Sequence, residues 1–301
     1  MKTFITAALI IFSLIGPNNL KAQELSPYVK VGTSKSTIAQ ETERVNQALQ
    51  KMGFDIVGSY SPEDNPNFMV IAFSRNDLQS TVLKVKDRGA LASVLKVGLK
   101  SNGTETTISY LNPNYIFNAY LQNEYPNHSE ALNKVAHDLK TAMSPLGDIN
   151  EGFGGSLSID KLRKYHYKIM MPYFTDPVEL REFSSFEEGV EIIEKNLISK
   201  KGNTKLVYKL KYESKDVCVF GIGLMDKDTG EGHFLPIIGE DHIAAMPYEI
   251  ILQGKTATML HGRYRIALHW PELTMGTFMK IMSTPGDIED SFEALCQDNP
   301  M

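Results

Sequence analysis

Two short capping boxes constrain this chain more than any other feature. Thr37-Ile-Ala-Gln40 and Ser185-Phe-Glu-Glu188 each set a hydroxyl where it accepts from an orphan backbone N–H, with a Gln or Glu three residues on. Behind the first, Ile38, Val45, Leu49 and Met52 share one helical face and Gly53 stops the helix. Behind the second, Phe186, Val190, Ile193 and Leu197 form the stripe and Gly202 the stop. The same amphipathic helix is written once in each half of 301 residues. A fold for this chain must use that helix in two places.

What surrounds the helices also recurs. The first half begins with the strand-like Tyr28–Val31. After its helix come Phe54–Tyr60, Asn67–Phe73, a polar stretch (Asn76–Arg88), Val94–Lys100, a turn at Asn102-Gly103, and Thr106–Leu111. Asn112-Pro113 then opens a helix, with proline where no N–H is needed. The second half reads Tyr165–Met170, the capped helix, Thr204–Tyr212, Val217–Leu224, a Gly-rich acidic loop (Asp226–Asp241), Tyr248–Gln253, Tyr264–His269, and a helix opened by Pro271. Met143–Phe153 and Met282–Phe292 also align without a gap. Consecutive strands with helices before and after predict an α+β fold: two tandem units, each an antiparallel sheet with helices on one face. The expected boundaries are 23–152 for the first repeat, 153–160 for a Gly/Ser linker, and 161–301 for the second. Each unit is expected to bury its own core, the two packing as a pseudo-dimer. The competing arrangement is one large sheet with coincidental symmetry.

A capped helix ending in Gly-Phe, two strands, a polar stretch, a strand hairpin and a proline-opened helix resembles the family called domain of unknown function 302. The resemblance lies in Thr37–Tyr60 and Val94–Tyr120, and again in Ser185–Tyr212 and Met246–Leu252, whose Met246-Pro247 looks like that family's Leu-Pro entry into its hairpin. The first half departs from the pattern, with Ser74-Arg75-Asn76 where Asn-Pro is usual and Ala92-Ser93 opposite Met246-Pro247. The resemblance implies two divergent copies of a curved, TBP-like sheet backed by helices. It implies no activity.

The N-terminus reads as an address. Lys2 precedes an apolar run, Phe4–Gly16, too short to span a bilayer, and Leu20-Lys21-Ala22 offers a small residue for cleavage. Residues 1–22 are thus expected to be a cleaved signal peptide, and the mature protein periplasmic or secreted, with no membrane span. Cleavage removes two lysines and no acid, taking the net charge from −5 to −7. Nucleic-acid binding relies on neutralised phosphates, so this charge argues against it. Export permits a disulfide, and Cys218 and Cys296 are the two candidates; the alternative is that each is a small buried hydrophobe.

Chemistry is sparse. No nucleophile elbow or phosphate loop is present. The densest polar cluster, Glu231, His233, Asp241 and His242 with Glu240 beside them, contains donors that suit zinc, at a spacing that matches no recognised ligand pattern. Met275, Met279 and Met282 could offer thioethers to a metal or haem, or be plain core. Two functions follow. One is a non-enzymatic module without a cofactor, binding a small apolar or amphipathic ligand, or a protein partner, between sheet and helix. Tyr110, Tyr115, Tyr248, Tyr264 and Trp270 are the expected lining. The other is a metal-dependent hydrolase or redox protein using the His233/His242 loop.

Overall fold

A computed structural model describes residues 23–298. The expected signal peptide lies outside them. The chain builds two antiparallel sheets from strands taken in the same order. In the first, Asp55–Tyr60, Phe68–Ser74, Leu95–Ser101, Thr106–Leu111 and Tyr28–Ser34 lie side by side. In the second the sequence is Thr204–Tyr212, Val217–Leu224, Tyr248–Gln253, Thr256–Met259 and Val178–Glu182. Each sheet therefore carries its first strand at the far side of its closing hairpin. A sixth strand, Glu151–Phe153, joins the first sheet beside Tyr28–Ser34. The fold class is α+β, as the pattern of elements required.

Both capping boxes form helices where expected, Ile38–Lys51 and Phe186–Ile198. The first box is complete: Thr37 accepts from Gln40 N–H while Gln40 accepts from Thr37 N–H. In the second, Ser185 accepts from Glu188 N–H, but the Glu188 carboxylate takes the N–H of Ser184 instead. Asn112 caps Pro113–Leu121 through its Oδ1, and Pro113 holds the first turn.

Several expectations are corrected. Tyr165–Met170 is not a strand; the first strand of the second sheet is Val178–Glu182. Tyr264–His269 belongs to a helix, Gly262–His269, and the closing strand is Thr256–Met259 after a two-residue turn with Gly254 at φ +56°. Alternating Tyr264, Ile266 and Leu268 imitate a strand because this helix is buried nearly all round, with no polar face to reveal its period. Pro271 follows this helix rather than opening it, and His261 is the cap equivalent to Asn112, its Nδ1 accepting from Arg263 N–H. The acidic loop Asp226–Asp241 contains the helix Glu231–Ile238. The gapless match of Met143–Phe153 with Met282–Phe292 joins unlike conformations: the former ends in the strand Glu151–Phe153, the latter lies largely in the helix Thr284–Cys296. The linker is tied down, with Leu157–Ser158 paired to Glu24–Leu25.

The two halves do not bury separate cores. One contiguous apolar cluster includes Leu49, Val97 and Phe117 from the first and Leu197, Phe220 and Trp270 from the second. Alternation along Leu95–Ser101 shows why. Lys96, Gly98 and Lys100 point to one face, where they meet Glu249, Ile243 with Ala244, and Glu240 with Asp241 of the other half. Leu95, Val97 and Leu99, fully buried, are left for the helix layer. The short helix Gly89–Ser93 reciprocates by packing on Val217–Leu224 and Tyr248–Gln253. The edge strands Asp55–Tyr60 and Thr204–Tyr212 meet at their bulges, where a side chain on Gly58 would collide with the Val207 carbonyl.

Candidate functional site

The polar groups of greatest chemical interest lie where the sheets face each other. Lys96 and Glu249 are each the second residue of the middle strand, third in the order given above, of their five corresponding strands, and they form a buried ion pair. Glu249 also receives the Tyr208 hydroxyl at 3.3 Å and Arg265 Nη2 at 3.4 Å. Arg265, 1% exposed, spends Nη2 on the carbonyls of Ala245 (2.6 Å) and Pro247 (2.9 Å) and lays its guanidinium 3.5 Å over the Tyr248 ring. Its Nε and Nη1 have no hydrogen-bond acceptor. Burial pushes the Lys96 amine below its usual value, and Glu249 restores part of the loss. Burial, reinforced by Arg265 and Lys96, holds His269 far below the usual imidazole range, so it is neutral; its Nε2 sits 3.3 Å from the Tyr120 hydroxyl.

Beside this cluster the C-terminal carbonyls of Gly262–His269 are buried. Three tyrosines from other elements satisfy them: Tyr165 donates to Ala267 O (2.8 Å), Tyr115 to Leu268 O (2.7 Å), and Tyr28 to His269 O (2.8 Å). This accounts for the place of one of the aromatic residues expected to line a ligand space. Tyr110, Tyr115, Tyr248, Tyr264 and Trp270 are all buried, the most exposed at 5%, and they fill the region between sheet and helix. None borders the cleft described below.

The expected metal residues are parted by the helix that replaces their loop. Glu231 is fully buried, accepting from the Tyr60 hydroxyl (2.7 Å) and Leu224 N–H (3.3 Å), and burial pushes its carboxyl up to about 8. His233 is half-buried on the same helix. Asp241 is exposed and pairs with Lys100 at 3.1 Å. His242 packs its ring against Tyr28, Phe153 and Trp270. Among the described residues, no three His, Cys, Asp or Glu side chains are placed to hold a metal ion. Cys218 and Cys296 are free and buried, each thiol pushed up to about 12 by burial, which fits the small-hydrophobe alternative rather than the candidate disulfide.

An open apolar cleft does exist, on the outer side of Gly262–His269. It is shallow, with a cavity volume of about 20 Å³. Arg263, Ile266 and Ala267 share one helical face and form its floor, since residues three and four apart are neighbours on a helix. Leu273, Met275 and Phe278 make one wall, and Tyr167 with Met171 the other. The Tyr167 hydroxyl reaches Leu273 O at 3.4 Å and ties the walls together. Further exposed apolar side chains come from the same chain segments: Ile169 is 86% exposed, Met170 97% and Met279 57%. Sequence reasoning missed this site by reading Tyr165–Met170 as a strand. The signal that was present is Met170-Met171-Pro172, apolar residues beside a strand-breaking proline.

Comparison with known proteins adds little. No protein-family model matches the chain, and no curated protein matches it. Among solved structures it is similar to the crystal structure of an uncharacterized conserved protein DUF302 from Bacillus stearothermophilus, at 16% identity and a TM-score of 0.33, over 38% of this chain and 93% of that one.

Proposed function

We propose that this chain is an exported, non-enzymatic binding protein, built of two divergent tandem units of the domain-of-unknown-function-302 type. Its ligand is a small apolar or amphipathic molecule held in the cleft on the outer side of Gly262–His269. The observation that carries the reading is the lining: seven apolar or aromatic side chains and one cation, the residue types usual at small-molecule sites. Methionine walls suit a ligand of variable shape, because the unbranched thioether side chain adapts. The buried polar groups support the same reading. Lys96, Tyr208, Glu249 and Arg265 are engaged with one another, joining the two sheets rather than facing solvent.

The test uses the mature chain from residue 23 and a hydrophobic fluorescent probe, 1-anilinonaphthalene-8-sulfonate. The folded protein is expected to bind one equivalent. Met171→Glu and Phe278→Asp, both at half-buried positions, should each abolish the signal while leaving the thermal transition in place. Undiminished binding by both folded variants would place the ligand elsewhere.

A further inference from the structure

We propose that Met170, Met275, Met279 and Met282 form a reversible oxidation site, at which hydrogen peroxide turns exposed thioethers into sulfoxides and leaves the core intact. Among the described residues eight large apolar side chains are exposed, and four of them are these methionines. Met170 is 97% exposed, Met279 57%, Met282 56% and Met275 44%. Met143, Met246 and Met259 are at most 1% exposed. Methionine is ordinarily a buried residue type, so a surface that collects it is unusual. The arrangement is also regular. The helix Met275–Phe278 runs straight into the 3₁₀ turn Met279–Ile281, and Met282 keeps helical angles (φ −62°, ψ −30°). Spacings of four and three residues put Met275, Met279 and Met282 on one side of this stretch. Met170 joins them through its neighbour, since Met171 and Met275 line opposite walls of one cleft. The reaction needs no ligand in that cleft and no ionisation of the sulfur, so access decides which thioether reacts. The sulfur lone pair attacks a peroxide oxygen, the S–O bond forms, the O–O bond breaks, and water leaves. The peroxide is reduced by two electrons and the thioether oxidised by two. The thiols do not compete, because Cys218 and Cys296 are buried and burial keeps them protonated. Each sulfoxide is polar, so complete reaction converts half of the exposed large apolar side chains into polar ones.

The experiment exposes the mature chain to dilute hydrogen peroxide, quenches with free methionine, and locates sulfoxides by peptide mass spectrometry. The four surface methionines are expected to react faster, on the order of tenfold, than Met143, Met246 and Met259, which must wait for local opening. The thermal transition should persist, and the oxidised protein should elute earlier from a hydrophobic-interaction column. Methionine sulfoxide reductases of both epimer specificities, with a thiol reductant, should return mass and retention to their starting values. Met170→Leu, Met275→Leu, Met279→Leu and Met282→Leu together, swaps of similar volume, should abolish the peroxide-driven shift in retention. Equal rates at surface and core methionines overturn the proposal, as does loss of the thermal transition when only the four are oxidised. An undiminished retention shift in the leucine variant, or sulfoxides that both reductases leave in place, overturns it as well.

Discussion

Glu231 shows how much a single residue's role depends on its neighbours. In the sequence it is an acid among glycines, histidines and acids, and a metal ligand is a fair expectation. In the structure it opens the helix Glu231–Ile238 and is enclosed, with a tyrosine hydroxyl and one N–H on Oε1 and no cation paired with it. Its carboxyl is therefore pushed up to about 8, burial being the main cause. The sign of the linkage follows. In the unfolded chain the group ionises near its ordinary value of 4.5, whereas the folded chain keeps its proton until pH rises through about 8. Stability is thus lost with rising pH between those values, by up to about 1.4 kcal/mol per pH unit, and is flat beyond them. Glu231→Gln removes this slope. Urea melts at pH 5 and pH 8 should show the variant gaining on the parent chain as pH rises; a difference independent of pH would mean that the carboxyl titrates normally.

At the scale of elements, Gly262–His269 is the piece that the rest of the molecule is arranged around. One face carries Arg265 into the junction, the opposite side floors the cleft, and its C-terminal carbonyls receive three tyrosine hydroxyls. A buried carbonyl that loses its donor costs about 1–3 kcal/mol. Tyr115→Phe keeps the ring and removes only the hydroxyl, so it should destabilise the protein by that amount, read from denaturant melts. Asn112, a solvent-side cap, stands for the milder case of about 1 kcal/mol. A Tyr115→Phe change well under 1 kcal/mol would show that water reaches Leu268 O. The apolar stripes of Ile38–Lys51 and Phe186–Ile198 were plain in the sequence because one side of each helix meets water. Gly262–His269 was not, because only Arg263 on it is exposed and a helix so nearly enclosed shows little contrast between faces.

For the molecule as a whole, the continuous core and the Lys96–Glu249 pair imply one cooperative unit rather than two independent ones. Trp270, the single tryptophan, is 1% exposed and lies in the second half, against His242 and His269. Its fluorescence should therefore report the same urea midpoint as far-ultraviolet circular dichroism, which reads both sheets. Glu249→Ala leaves Lys96 and Arg265 buried without their carboxylate, and removing one partner of such a group costs about 3–5 kcal/mol. The shift should move the whole transition. Two separated transitions, or a shift confined to the tryptophan signal, would show that the halves unfold independently.

What the sequence by itself determined are the features written in local chemistry. Thr37 and Ser185 announce helix starts because a hydroxyl must meet an orphan N–H, and Gly53, at φ +76°, announces the first helix's end, whereas the second ends at Ile198, four residues before Gly202. Asn102-Gly103 marks a hairpin, and Thr106–Leu111, Thr204–Tyr212 and Val217–Leu224 begin and end where alternation and turn residues put them. The α+β class follows from their order. Tertiary structure decided everything that depends on partners distant in the chain. Lys96 looks like a surface lysine until the second sheet brings Glu249 to it across 153 residues. Tyr115 and Trp270 look like ligand-lining aromatics until Leu268 of the other half takes the Tyr115 hydroxyl and His242 and His269 pack on the Trp270 ring. Met275 looks like core until Arg263, Met171 and Phe278 leave it at the lip of an open cleft. Burial is a property of what lies opposite a residue, and a one-dimensional pattern records only what lies beside it.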